Sequence, residues 1–288
     1  MTLLDWGFLQ QPAGFDIGET GLMVFDAMQP MWRAFMVGLG NTLRVALPSL
    51  IVATLLGLAL ALLRTSGLPG WRQAAQGLIG LIRHVPLLLQ LLIWYFLLIE
   101  WLPDSTQALH LWGGLWLSKG GLAFPWPEPN ATAWELSWPM QDTFNVSGGA
   151  SVTPEYLAVA LALSAYTAAF LAEVFRSGIE AVPRGLMEAA DTLGATRWQR
   201  IRLVLLPQAL RTVVPPTTNQ YLNLIKNSSL AVAVGYPDLV SVSTTALNQS
   251  GRALECISVM MAVYLALSLL TATAMNTFNK RHALKGEA

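Results

Sequence analysis

The sequence predicts an all-α integral membrane protein with about five transmembrane helices, its N-terminus outside the membrane and its C-terminus in the cytoplasm. Three observations predict it. Of 288 residues, 54% are hydrophobic and only 12% are charged, against roughly a quarter charged in a soluble domain. Several uncharged runs approach the roughly 20 residues that cross a hydrocarbon core. The segments between those runs alternate in the sign of their charge. Net charge is zero, so the information lies in where the charges sit and not in their sum. A nucleic-acid partner has no support. One cysteine, Cys256, and three histidines, His84, His110 and His282, are too few and too scattered for a disulfide framework or a zinc site; Cys256 reads as a small packed apolar residue.

Residues 1–34 form an acidic segment, with Asp5, Asp16, Glu19 and Asp26 and no run long enough for a signal peptide, and are expected outside the membrane. The first span runs over about 35–63, interrupted only by Arg44. The second, about 76–102, is broken by Arg83 and His84, which read as an anchor at its cytoplasmic mouth. The third, about 153–175, is rich in alanine, serine and threonine, the composition of a helix packed against other helices. A weaker fourth, about 208–236, carries Pro215, Pro216, Asn219, Gln220, Asn223 and Lys226 within an apolar frame. Backbone groups freed by proline need partners in protein or water, so this stretch either lines a pathway or is an amphipathic surface helix. The last span, about 255–279, is the clearest.

Short cytoplasmic connections collect lysine and arginine. The first connection holds Arg64, Arg72 and Arg83 and no acid. The region around the external loop 103–152 holds Glu100, Asp104, Glu128, Glu135, Asp142 and Glu155 against Lys119 alone. The loop 177–207 and its borders are basic again, with Arg176, Arg184, Arg197, Arg200, Arg202 and Arg211, and the tail 280–288 adds Lys280, Arg281 and Lys285. An odd number of crossings satisfies that sign pattern, which favours counting the proline-broken stretch as a span. The external loop carries Trp101, Trp112, Trp116, Trp126, Trp134 and Trp138 among Pro103, Pro125, Pro127, Pro129 and Pro139, and reads either as a segment lying on the membrane interface or as an irregular cap.

The cytoplasmic stretch 188–207 reads EAADTLGATRWQRIRLVLLP. Residues 186–193 favour a helix, Gly194 breaks it, and Thr196 can cap a second helix whose apolar side includes Trp198, Ile201 and Val204. Small Ala189 and Ala190 beside Glu188 make a knob that can enter a cleft, with a carboxylate placed for an arginine or backbone partner. That is a docking element and not a catalytic one.

This stretch resembles the EAA loop of type I ATP-binding-cassette importer permeases: EAA, three residues, Gly, nine residues, Ile, one residue, Leu-Pro. Glu188, Ala189, Ala190, Gly194, Leu206 and Pro207 fall on the pattern, and Val204 stands where isoleucine is usual. RHVPLLLQ, from Arg83 to Gln90, is similar to a stretch of permeases for polar amino acids, with His84 in place of the usual asparagine; YLNLIKNSSLAVAVGYPDL, FLQQPAGFDIG and ALNQSGRALE are similar to the same subfamily. The nearest group is the general L-amino acid or glutamate, glutamine, aspartate and asparagine permeases. Members usually carry a further hydrophobic segment upstream and a longer middle, and this chain is expected to start just after where that segment would end.

The resemblance implies the type I permease fold and a translocating subunit with no chemistry of its own. It implies a separate ATPase dimer holding ATP and magnesium, a second permease subunit that is related but non-identical, and a periplasmic amino acid binding protein, in the bilayer of a bacterial cytoplasmic membrane. The chain lacks the Gly-x-x-x-x-Gly-Lys-Ser/Thr loop that cradles phosphates, so no cofactor is expected in it. Glu188, Ala189, Ala190 and Gly194, with Leu206 and Pro207, would form the ATPase-coupling surface. Gln90, Asn219, Gln220, Asn223 and Lys226 either line the substrate path or hydrogen-bond between helices, and Lys226 can also snorkel to an interface. The alternative function is an ion-coupled secondary amino acid carrier, which would also show polar residues in a broken span.

Overall fold

The computed structural model describes residues 5–21, 23–129 and 134–282. Its principal helices are α1 (Met31–Arg64), α2 (Pro69–His84), α3 (Leu87–Trp101), α4 (Pro154–Glu180), α5 (Arg184–Thr192), α6 (Arg197–Arg200), α7 (Leu206–Asn227), α8 (Leu239–Ser250) and α9 (Ala253–His282). Three of them, α1, α4 and α9, are long and apolar enough to cross a membrane, and the number reaches five if each of two bent helix pairs is one span. Residues 283–288 of the expected tail and residues 1–4 lie outside the described residues.

The centre of the bundle is the α1–α4 pair. Their facing residues are small: Ala46, Ala53 and Ala61 on α1 and Ala158, Ala162, Ala168 and Ala172 on α4 are all buried. Small residues let helix backbones approach, which is the main source of helix association where lipid is as apolar as leucine. Gly57 marks the closest approach, since a Cβ there would lie 2.8 Å from that of Leu171 and 3.1 Å from the Ala168 carbonyl. More than half of the apolar window of α4 is buried, against about a tenth for α9. The outer faces follow: Leu47, Ile51, Leu55, Leu58 and Leu62 make an exposed stripe on α1, and Leu254, Met261, Leu265 and Leu269 make one on α9. Both have helical spacing and fit hydrocarbon.

Prolines shape the rest. Pro48, inside α1, cannot donate to the carbonyl of Arg44, and the Tyr156 hydroxyl donates to that carbonyl instead at 3.0 Å. The run expected as a second span is two helices, α2 and α3, meeting at 103°. Pro86 forces Val85 out of the helical region, to φ −97° and ψ 128°, so the chain turns there. Ion pairs sit towards both ends of the α1–α4 pair, Arg44 with Glu19 at one and Arg64 with Glu173 at the other, where Glu173 also accepts from Arg176 at 3.0 Å.

Residues 5–21 and 23–30 wrap the start of α1. Phe8, Ala13 and Ile17 bury themselves against Met31, Phe35, Leu239 and Cys256, joining this segment to α8 and the first turn of α9. Asp5 pairs with Arg252 at 2.9 Å, and its N–H donates to Glu255. The tryptophan-rich region between α3 and α4 is folded: strands β1 (Leu109–His110), β2 (Trp116–Ser118), β3 (Gly121–Phe124), β4 (Trp126–Pro129), β5 (Trp134–Ser137), β6 (Met140–Gln141), β7 (Val146–Ser147) and β8 (Ala150–Val152) form one four-stranded antiparallel sheet, ordered β1-β2-β3-β8, and two hairpins, β4–β5 and β6–β7. Thr153 caps α4 directly after β8, its hydroxyl accepting from the Tyr156 N–H, with Pro154 in the first turn. The sheet and the α5–α6 loop therefore lie at opposite ends of α4, about 40 Å apart for 27 residues.

Candidate functional site

Of the residues expected to form the coupling surface, Glu188, Ala189 and Ala190 lie on α5 and Gly194 between α5 and α6, in a hinge of two short helices, while Leu206 and Pro207 open α7. Helix α5 ends in a fully formed Schellman closure: the Ala195 N–H donates to Ala190 at 3.0 Å and the Gly194 N–H to Asp191 at 2.9 Å. That closure needs a left-handed residue after the helix, and Gly194 supplies it at φ 73° without the Cβ cost any other residue would bear. Two residues later Thr196 caps α6 in a reciprocal box. Its hydroxyl accepts from the Gln199 N–H at 3.3 Å while the Gln199 side chain accepts from the Thr196 N–H at 2.8 Å. Arg200 reaches back to Asp191 at 2.7 Å, bracing α6 against α5 across the glycine.

Between α6 and α7 the chain makes one wide turn, Ile201–Leu205, closed by the Leu206 N–H on the Ile201 carbonyl. Pro207 explains it. Proline has no N–H, and its ring would clash with the carbonyl of Leu203 in a regular helix; a wider turn moves that carbonyl aside. Behind the turn lies an apolar cleft of about 570 Å³, bounded by Leu58 on α1, Phe175 on α4, Ile201 and Leu205 in the turn, and Met275 on α9.

Ala190 is buried, whereas Glu188 and Ala189 are exposed. Leu193 and Trp198 are 86% and 67% exposed, so the hinge presents apolar surface beside a carboxylate. Its main neighbours are internal, α5 against α6 and the wide turn. Exposed apolar residues of that kind on a polar rim mark a protein contact.

The five polar residues singled out at membrane depth separate into one and four. Gln90 is buried, and its Nε2 donates to the carbonyls of Ile82 at 2.7 Å and Val85 at 2.8 Å. Ile82 is the residue whose carbonyl lost its helical donor to Pro86, so Gln90 replaces the missing N–H and holds the bend. Asn219, Gln220, Asn223 and Lys226 lie on α7, with 219, 223 and 226 on one face at i, i+4 and i+7. Asn219, Asn223 and Lys226 are exposed. Among the described residues the side chains of these four make no hydrogen bond, although the Ser229 hydroxyl donates to the Lys226 carbonyl at 2.7 Å; nor does any side chain donate to the carbonyls of Arg211 and Thr212, which lose helical donors to Pro215 and Pro216. Sequence reasoning missed Asn276 and Asn279 on α9, which share a second cleft with Asn219; the signal available was two amides three residues apart in an otherwise apolar span. No group of histidine, cysteine, aspartate or glutamate able to hold a metal is present among the described residues.

Residues 53–284 match the family described as binding-protein-dependent transport system inner membrane component. The chain is 36% identical to the general L-amino acid transport system permease protein AapQ of Rhizobium johnstonii, over 98% of this chain and 84% of that one. It is also 36% identical to the putative amino-acid ABC transporter permease protein YhdX of Escherichia coli, over 97% and 85%. Among solved structures, an amino acid ABC transporter crystallised with histidines superposes with a TM-score of 0.63 at 24% identity, over 87% of this chain and 94% of that one, and shares the fold.

Proposed function

Since this chain belongs to the binding-protein-dependent transport system inner membrane components, permease subunits of ABC importers without an ATPase site of their own, we propose that its cargo is polar L-amino acids. The ion-coupled carrier is set aside by that membership. Relatives named for general L-amino acid and amino-acid ABC transport support the substrate class.

The observation that carries the mechanism is the α5–α6 hinge: rigidly closed at Gly194, braced by Asp191 and Arg200, and exposing Glu188, Ala189, Leu193 and Trp198 to a partner. In this reading Glu188, Ala189, Ala190 and Gly194 seat in a separate ATPase that carries ATP and magnesium. The wide turn and Pro207 pass its movement into α7, whose Asn219, Gln220, Asn223 and Lys226 face the path. Exposure of that stripe in a single chain supports a second permease subunit closing the path, and the resemblance favours a related, non-identical one. The orientation follows from the arginines: hinge in the cytoplasm, sheet outside towards the binding protein, in a bacterial cytoplasmic membrane, with spans near 35–63, 76–102, 153–175, 208–236 and 255–279.

The test is ATP hydrolysis in liposomes holding this chain with its partner permease and ATPase, with and without binding protein loaded with glutamate, glutamine, aspartate or asparagine. Stimulation by a loaded binding protein supports the reading, and uptake without any ATPase sinks it. Glu188→Lys is expected to abolish the stimulation while leaving the amount of chain in the membrane unchanged, as measured by immunoblot of washed membranes.

A further inference from the structure

We propose that the cleft between α7 and α9, built around Asn219, Asn276 and Asn279, is a binding station for the α-amino and carboxylate groups of the transported amino acid on its way out to the cytoplasm. The proposal rests on the amino acid importer reading above and deepens it by bringing α9 into the path. The cleft has a volume of about 240 Å³ and also touches Pro215, Thr218 and Met275. That is just below the roughly 300–1,000 Å³ of pockets for drug-sized ligands, which suits a small one.

Its lining is unlike the rest of the outward surface of α9. Asn276 and Asn279 stand at i and i+3, on one side of the helix, and Asn219 comes from α7. Each carboxamide offers two donors and an acceptor. Among the described residues no hydrogen bond engages any of the three side chains. Two buried amides of the bundle are committed by contrast: Asn41 donates to the carbonyls of Glu19 and Pro237, and Gln90 to those of Ile82 and Val85. Three uncommitted carboxamides line one cleft near the basic end of an otherwise apolar helix, where polar groups are costly unless they meet polar partners. A zwitterion matches them, its carboxylate accepting from the amide N–H groups and its ammonium donating to the amide oxygens.

The backbone adds to the match. Arg211, Pro215 and Asn219 share one face of α7 at i, i+4 and i+8. The Arg211 carbonyl is an extra acceptor for an ammonium, because Pro215 cannot donate to it. The Arg211 side chain is exposed and makes no ion pair among the described residues, so a cation stands about 12 Å below Asn219 along the helix to draw the carboxylate towards the cytoplasmic mouth. Thr218 offers no donor to the carboxylate, since its hydroxyl donates to the Val214 carbonyl at 2.9 Å.

The test places single cysteines at positions 276 and 279 in the assembled transporter and follows their labelling by a charged thiol reagent in inverted vesicles, where glutamine added outside reaches the cytoplasmic face. The native Cys256 is fully buried and serves as a silent background. Glutamine at ten times its half-saturating concentration should slow labelling at both positions about tenfold, and should leave a cysteine at Leu265, on the outer stripe of α9, unchanged. A parallel set, Asn276→Ala and Asn276→Gln, should show lowered and restored glutamine uptake at equal membrane abundance. Unchanged labelling in the presence of glutamine overturns the station, as does efficient cross-linking of position 276 to the second permease with uptake intact, which would make the cleft a packing seam. Loss of ATPase stimulation by every loaded binding protein in the unmodified transporter would instead refute the importer reading itself, and the two failures are read in separate assays.

Discussion

At the bend between α2 and α3, Pro86 removes the donor from the Ile82 carbonyl and Gln90 puts one back; in α7, Pro215 and Pro216 do the same to Arg211 and Thr212, and among the described residues no side chain replaces either. Both stretches set proline and amides inside an apolar run, and in sequence they look alike. The first is a closed account of donors and acceptors, so its polar residue belongs to the architecture. The second leaves acceptors in the backbone and donors on Asn219, Gln220, Asn223 and Lys226, so its polarity is available to something that passes. A polar residue at membrane depth is therefore classified by where its hydrogen bonds end and not by its presence.

Gln90→Leu tests that contrast most severely. It strips two half-buried carbonyls of their donors, at about 1 kcal/mol each, and should lower the thermal stability of the purified complex by several degrees, read by light scattering or tryptophan emission. A stable Gln90→Leu complex with altered substrate preference would break the comparison by moving Gln90 to the path. Asn223→Leu should do the reverse: melting unchanged, and binding-protein-dependent uptake down by about tenfold, equivalent to about 1.4 kcal/mol of lost interaction. Tyr156→Phe sharpens the first half at smaller cost, because it removes the hydroxyl that serves the Arg44 carbonyl above Pro48; about 1 kcal/mol of stability should go, with uptake per folded complex unaffected.

Local chemistry was legible in the sequence where it acts over a few residues. Gly194 ends one helix and Thr196 starts the next because their signals, a left-handed requirement and a hydroxyl three residues before Gln199, are complete within the segment. An interruption of the second span was read at Arg83 and His84, but neither the part of Pro86 nor the 103° between α2 and α3 was, since composition sets where a helix stops and packing sets where the next one points. Gln90 was grouped with the α7 residues for the same reason: its partners are backbone carbonyls, which no side-chain pattern displays. The strands between α3 and α4 escaped notice because they are two to four residues long, too short to show alternation, and because Pro127 and Pro129 stand inside β4. Their register is nonetheless regular, with Glu128 opposite Glu135 and Pro129 opposite Trp134. Asn276 and Asn279 were absorbed by a span read as uniformly apolar, although two amides on one side of its last turns were there to be seen.

The wide turn Ile201–Leu205 has a geometric consequence for the whole subunit. Each residue of an α-helix advances its side chain by about 100° around the axis, so a turn holding one residue more than usual re-indexes everything beyond it. The bearing of Glu188 relative to the Asn219–Asn223–Lys226 face is thus fixed by a count of residues, in the way that a keyway fixes a wheel on its shaft. Tightening the turn to regular helical pitch with all five of its residues kept would leave both surfaces chemically intact and swing one roughly 90° away from the other.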